Sequence, residues 1–311
     1  MSWFVGVLLA LFTAGSESSS PPLTPVTSEA GEVRYARPEV LCRVASDVVV
    51  EASGLVAGRH QPGIFWITND SGDRSRLFAV DTRGRLVATL EVRGAANRDW
   101  EDLAIGPGQV LREAQASGRA REPRIYIADT GNNDRSRAEL TIYRVREPRL
   151  STTRRLGQKL RSEPAEVFHF RYAEGRFDCE GMVVHPRRPE VWLFTKESIG
   201  VGVYRLDVKR PSPRPVVLAR IATLAVGSLA TGAGLSPDGS RFALRFYFGL
   251  CEWRAASGGD VLERLSQKPS WIVAPTEPQS EAVCYSAAGD ALFTVSEGRH
   301  PAIYRLRGAE R

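Results

Sequence analysis

The chain has 311 residues, 42% of them hydrophobic and 25% charged, with 28 glycines, 19 prolines and a formal net charge of +6. This is a globular composition, long enough for one large all-β domain or two ordinary ones. Arginine supplies most of the positive charge, but Arg119, Arg121, Arg124, Arg135, Arg137, Arg144, Arg146, Arg149, Arg154 and Arg155 do not alternate with aromatics as a nucleic-acid groove requires, so no nucleic-acid partner is expected.

Trp3 to Ala14 is an apolar stretch followed by small and polar residues. It is too short to span a bilayer and fits a signal-peptide core, so residues 1–15 are expected to be a signal peptide. A short uncleaved anchor is the alternative. Residues 16–38 are expected to be a disordered linker, and 39–311 one domain. The mature chain is then secreted or periplasmic, a monomer with no stable membrane association. Cys42, Cys179, Cys251 and Cys284 show no CxxC or Cys/His zinc spacing, and their spacing leaves disulfides and buried thiols equally open.

Strand signals come in five groups, and helical periodicity is nearly absent. The first group is Gly54–Val56, Gly63–Thr68, Arg76–Val80 and Arg85–Val92. The second is Glu101–Ile105, Arg124–Ala128, Leu140–Val145 and Glu166–Tyr172. The third is Glu180–Val184, Glu190–Thr195, Gly202–Leu206 and Pro215–Ile221. The fourth is Gly234–Ser236, Arg241–Tyr247, Leu250–Arg254 and Trp271–Val273. The fifth is Glu281–Tyr285, Ala291–Val295 and Ala302–Leu306, and it lacks its last strand.

Val40–Val44, ahead of the first group, can supply that strand and hide the last sheet edge. The pattern predicts an all-β fold, a five-bladed β-propeller closed by its N-terminal strand, with six blades as the alternative. Gln109–Glu122, read as a short helix or lid, and the basic loop Pro148–Pro164 are expected to be surface insertions.

Each group opens with the same signal: Ser53-Gly54-Leu55, Glu101-Asp102-Leu103, Glu180-Gly181-Met182, Ala233-Gly234-Leu235 and Glu281-Ala282-Val283. In a propeller the start of a blade's first strand and the end of its second meet at one mouth of the channel. Turn chemistry explains single Asp and Asn residues, but it has no special use for glutamate at three matched positions.

Glu101, Glu180 and Glu281 are therefore candidate catalytic residues and, with Asp70 and Asp129, candidate metal ligands. Oxygen donors without His or Cys favour Ca²⁺ or Mg²⁺ over zinc, and Ca²⁺ is the expected cofactor. Lys196, Arg245 and Asn132 are candidate binding residues for a small-molecule or anionic substrate at the channel mouth.

Asn69-Asp70-Ser71-Gly72-Asp73, followed by Leu77–Asp81 and a glycine turn, resembles the repeat of β-propeller phytases and related secreted bacterial propellers. Glu180-Gly181-Met182, with Val191–Glu197 after it, is similar to their Glu-Gly strand and to that of the gluconolactonase and SMP-30 group, which use one central divalent metal. Asp99–Asp102 with Ile127–Asn133 resembles a further set of secreted propellers. The resemblance implies an acidic, calcium-loaded axial site, although the phytase-like families usually have six blades and their phosphate-binding cations are matched only by Lys196 and Arg245. Two functions follow as expectations: a metal-dependent hydrolase of phosphoesters or lactones, or a non-catalytic propeller binding a protein, peptide or glycan on the same face.

Overall fold

The computed structural model describes residues 35–107, 122–151, 156–255 and 260–308. The expected signal peptide, most of the linker and all but Glu122 of the expected helix or lid lie outside them. The chain begins with β1 (Glu39–Arg43). Blade one follows as β2 (Ala52–Ala57), β3 (Ile64–Asn69), β4 (Arg76–Asp81) and β5 (Leu86–Glu91). Next come β6 (Trp100–Pro107), β7 (Pro123–Asp129), β8 (Leu140–Arg146), β9 (Gln158–Arg161) and β10 (Glu166–Tyr172).

Blade three opens with β11 (Cys179–Val184), β12 (Glu190–Thr195) and β13 (Val201–Asp207), followed by β14 (Val216–Leu218) and β15 (Ala222–Leu224). Blade four is β16 (Ala230–Leu235), β17 (Arg241–Phe246), β18 (Gly249–Arg254) and β19 (Ser270–Ile272). Blade five is β20 (Ser280–Tyr285), β21 (Ala291–Ser296) and β22 (Ala302–Arg307), completed by β1.

The fold is a five-bladed β-propeller. The innermost strands β2, β6, β11, β16 and β20 each pack on the next, and β20 returns to β2, so the circle closes. Closure uses the expected strand: β1 pairs antiparallel with β22, placing Val40 opposite Tyr304 and Cys42 opposite Ile303. The tie reaches into the expected linker, because Ala36 N donates to Arg307 O at 2.9 Å and Tyr35 OH to the buried Glu252 carboxylate at 2.5 Å.

The core lies between blades rather than within a sheet. Five clusters of buried side chains occupy the five blade–blade contacts; one packs Tyr126, Ile142 and Phe168 against Met182, Leu193 and Tyr204. Strands covered on both faces read as unbroken apolar runs, as in Val191-Trp192-Leu193-Phe194.

Two expected features are corrected. Pro215–Ile221 is not the outer strand of blade three: β14 crosses to pair in parallel with β10 of blade two, and β15 takes the outer place beside β13. The basic loop after Pro148 contains β9, which extends blade one in parallel with β5. Both additions cover backbone groups that an outer strand would otherwise expose. All four cysteines are buried free thiols. Among the described residues no helix is long and apolar enough to cross a membrane.

Candidate functional site

Every innermost strand carries a one-residue bulge at the same place against its partner, between Ala52 and Gly54, Trp100 and Asp102, Cys179 and Gly181, Ala230 and Gly232, and Ser280 and Ala282. The extra residues are Ser53, Glu101, Glu180, Thr231 and Glu281, all buried. A bulge re-aims its side chain out of the ladder, so the three matched glutamates share a backbone device as well as a sequence offset. After the bulges of blades one and four the neighbouring blade approaches closely. A Cβ on Gly232 would sit 2.5 Å from Glu281 O, and one on Gly54 2.8 Å from Leu103 N.

Blade two departs from the small residues at this point with Asp102. Its fully buried carboxylate accepts from Leu103 N and Met182 N, both at 2.8 Å, and from Ala233 N at 3.3 Å. It joins the inner strands of three blades. Burial pushes its pKa well up, against the pull of those three amides.

Two further sets of positions flank the bulges. Two residues before them stand Glu51, Asp99, Asp178, Leu229 and Gln279. Just past the second strands stand Asp70, Thr130, Lys196, Tyr247 and Glu297. The sets are stitched by equivalent backbone bonds: Asp70 N to Glu51 O, Thr130 N to Asp99 O, Lys196 N to Asp178 O and Glu297 N to Gln279 O, at 2.9, 3.1, 2.9 and 3.2 Å.

The acidic side chains gather on the side of blades one to three. Asp70, Asp99 and Glu101 place carboxylate oxygens within 4.8 Å of one another, and so do Glu101, Asp178 and Glu180. Glu101 belongs to both groups. Glu180 Oε2 and Asp178 Oδ2 are buried without a hydrogen-bond partner. Gly131, in the turn Asp129-Thr130-Gly131-Asn132-Asn133, leaves the room for this gathering, since a Cβ there would lie 2.2 Å from Glu101 Oε1 and 2.3 Å from Asp99 Oδ2. The group is buried at Glu101, Asp178 and Glu180 and partly open at Asp70 and Asp99.

Burial and neighbouring carboxylates raise Asp99, Glu101, Asp178 and Glu180. Burial pushes Asp99 up to about 7, with Asp70 and Asp178 adding to it. Glu101 is lifted well above the usual range by burial and then by Glu180 and Asp70. Glu180 is lifted by burial although Lys196 Nζ donates to it at 2.5 Å. Lys196 also donates to Tyr247 OH at 2.8 Å, and its own pKa rises with the Glu180 charge beside it.

The remaining expected residues fall elsewhere. Glu281 belongs to neither group of three; burial, then the Glu297 charge, pushes it up to about 8. Asp129 braces the fold: its Oδ1 accepts from Asp99 N at 3.1 Å and pairs with Arg137 at 2.9 Å. Asn69 Oδ1, accepting from Val50 N, and Ser296 Oγ, accepting from Gln279 N, hold the equivalent corners of blades one and five. Asn132 spends its side chain on its own turn, accepting from Arg137 N and donating to Arg137 O. Arg245 is 1% exposed and bonded to Glu277 at 2.6 Å and Ser280 at 2.5 Å.

Asp99 and Asp178 were missing from the expected ligand set. Their signal is the constant offset, two residues ahead of the matched glutamates.

No protein-family model matches the chain, and no curated protein matches it. Among solved structures it is similar to a chain of a nidogen/laminin complex, at 11% identity with a TM-score of 0.43, covering 81% of this chain and 74% of that one.

Proposed function

We propose that the protein works through a divalent cation, Ca²⁺ foremost, held by Glu101, Glu180, Asp178, Asp99 and Asp70 at the mouth of the propeller. One observation carries the reading: carboxylates crowd around Glu101 while Glu180 Oε2 and Asp178 Oδ2 stay buried and unpartnered. Buried carboxylate oxygens without a partner are costly, and a bound cation would satisfy the two that Lys196 does not reach. All the donors are hard oxygens, which suits Ca²⁺ or Mg²⁺. The apolar stretch Trp3–Ala14 supports export, and weak calcium sites are typical of extracellular modules.

Such a cation would supply Lewis-acid polarisation of a substrate oxygen. Lys196 is engaged with Glu180, and Arg245 with Glu277. A lactone, whose carbonyl asks only for the cation, therefore suits the site better than a phosphomonoester. The test is a lactone and phosphoester panel run with chelator and with Ca²⁺ restored. The expected result is lactone turnover lost in chelator and recovered with Ca²⁺; full turnover in excess chelator would remove the metal from the reaction.

A second reading, a non-catalytic propeller that presents the cation end to a protein or peptide, is favoured by apolar side chains on the same rim. Phe248, at the tip of the β17–β18 turn beside Tyr247, is 100% exposed, and Ile199, in the loop after Lys196, is 87% exposed. Selection from a displayed peptide library with and without Ca²⁺ tests it. Binders that need Ca²⁺ and are lost on Phe248→Asp support it; binders indifferent to both refute it.

A further inference from the structure

At the end of the axis away from the carboxylates, the inner strands leave a cavity of about 300 Å³, on the order of ten water volumes. Val56, Leu103, Ile105, Met182, Val184 and Leu235 line it from four blades, and its surface is part apolar and part polar. Among the described residues no carboxylate lines it, and Arg59 is the one charged side chain.

The polar groups nearby are already committed. Glu147, the acid closest in chemistry to a partner for Arg59, accepts instead from Arg59 N, His60 N and Trp66 Nε1. Tyr285 OH is turned to Glu252 at 2.6 Å. The Cys284 thiol is uncharged at neutral pH, because burial pushes it up to about 12. Arg59 Nη1 donates to Ala287 O at 3.1 Å, and among the described residues the guanidinium makes no ion pair.

A chamber of mixed apolar and polar surface, with a guanidinium at its edge that makes no direct ion pair among the described residues, is complementary to an amphipathic anion. We propose that this cavity binds an organic carboxylate with an apolar chain or ring, its head on Arg59 and its body between Leu103, Met182 and Val184. The site is independent of the cation centre and stands or falls without it.

Titration of decanoate into the whole chain tests the proposal, with decanol as the uncharged analogue. Saturable decanoate binding is expected, weakened at least about tenfold in Arg59→Gln, as loss of a charge-assisted pair requires, and largely kept in Arg59→Lys. Decanol should bind Arg59→Gln and the parent protein alike. Val184→Trp, which fills the chamber and leaves Arg59 in place, should also abolish binding, and thermal melting checks that each variant is folded. Equal decanoate affinity in folded Arg59→Gln, unchanged binding in folded Val184→Trp, or no binding to the parent at millimolar decanoate would each overturn it.

Discussion

Glu101 and Asp102 are neighbours with opposite duties. Glu101 sits on the bulge and turns into the acidic group, whereas Asp102 turns inward and takes amides from three blades. Asp102→Asn keeps one acceptor but sets an amide donor against the N–H of Met182 and Ala233. It should cost about 1–3 kcal/mol in urea unfolding and leave cation affinity within about twofold.

Gly131→Ala should do the reverse, because its methyl would fall on Glu101 and Asp99. Cation affinity should drop by an order of magnitude or more in calorimetry, while the metal-free melting temperature moves little. The glutamates were legible because one offset repeats in three blades. Gly131 was not, since its reason is a contact across the chain with Asp99 and Glu101. Asp129 bonds Asp99 N and Arg137, and in sequence a carboxylate in a turn looks the same whether it braces an amide or holds an ion.

At the scale of elements, the sequence pattern located the closing strand and the inner strands of blades one, two, three and five, because strands buried on both faces appear as dense apolar runs. It set the inner strand of blade four at Gly234–Ser236, whereas β16 is Ala230–Leu235 with Thr231 on its bulge. It did not reveal β9 or the placement of β14. Gln158-Lys159-Leu160-Arg161 is short, half polar and paired in parallel with a strand far back in the chain, and local pattern carries no information about such a partner. Closure by β1 makes a direct prediction. Removing residues 1–43 would strip β22 of its partner and uncover Ile303 and Phe293, which share a buried cluster with Cys42. The truncated chain should elute as aggregate in size-exclusion chromatography, while removal of residues 1–34 should leave a monomer.

For the whole molecule, the acidic mouth sets how stability responds to pH. In the folded, cation-free protein Asp99 is pushed up to about 7 and Glu281 to about 8. These groups therefore hold more protons folded than unfolded between their ordinary carboxylate values and those raised ones. Folding is then favoured at the acid side of that window, and stability should fall as pH rises from about 5 to 8. A cation at Glu101 and its neighbours replaces the Asp99 proton but not that of Glu281, so thermal melts in Ca²⁺ should lose the Asp99 share of this slope; identical slopes with and without Ca²⁺ would argue against the site.

The most direct measurement is calorimetric titration of Ca²⁺ into chelator-stripped protein, comparing the parent chain with Glu101→Gln and Glu281→Gln. The parent should bind saturably, Glu101→Gln should lose at least tenfold in affinity, and Glu281→Gln, which lies outside both carboxylate groups, should retain most of it. No saturable binding by the parent, or equal binding by Glu101→Gln, would contradict a cation centre built on Glu101.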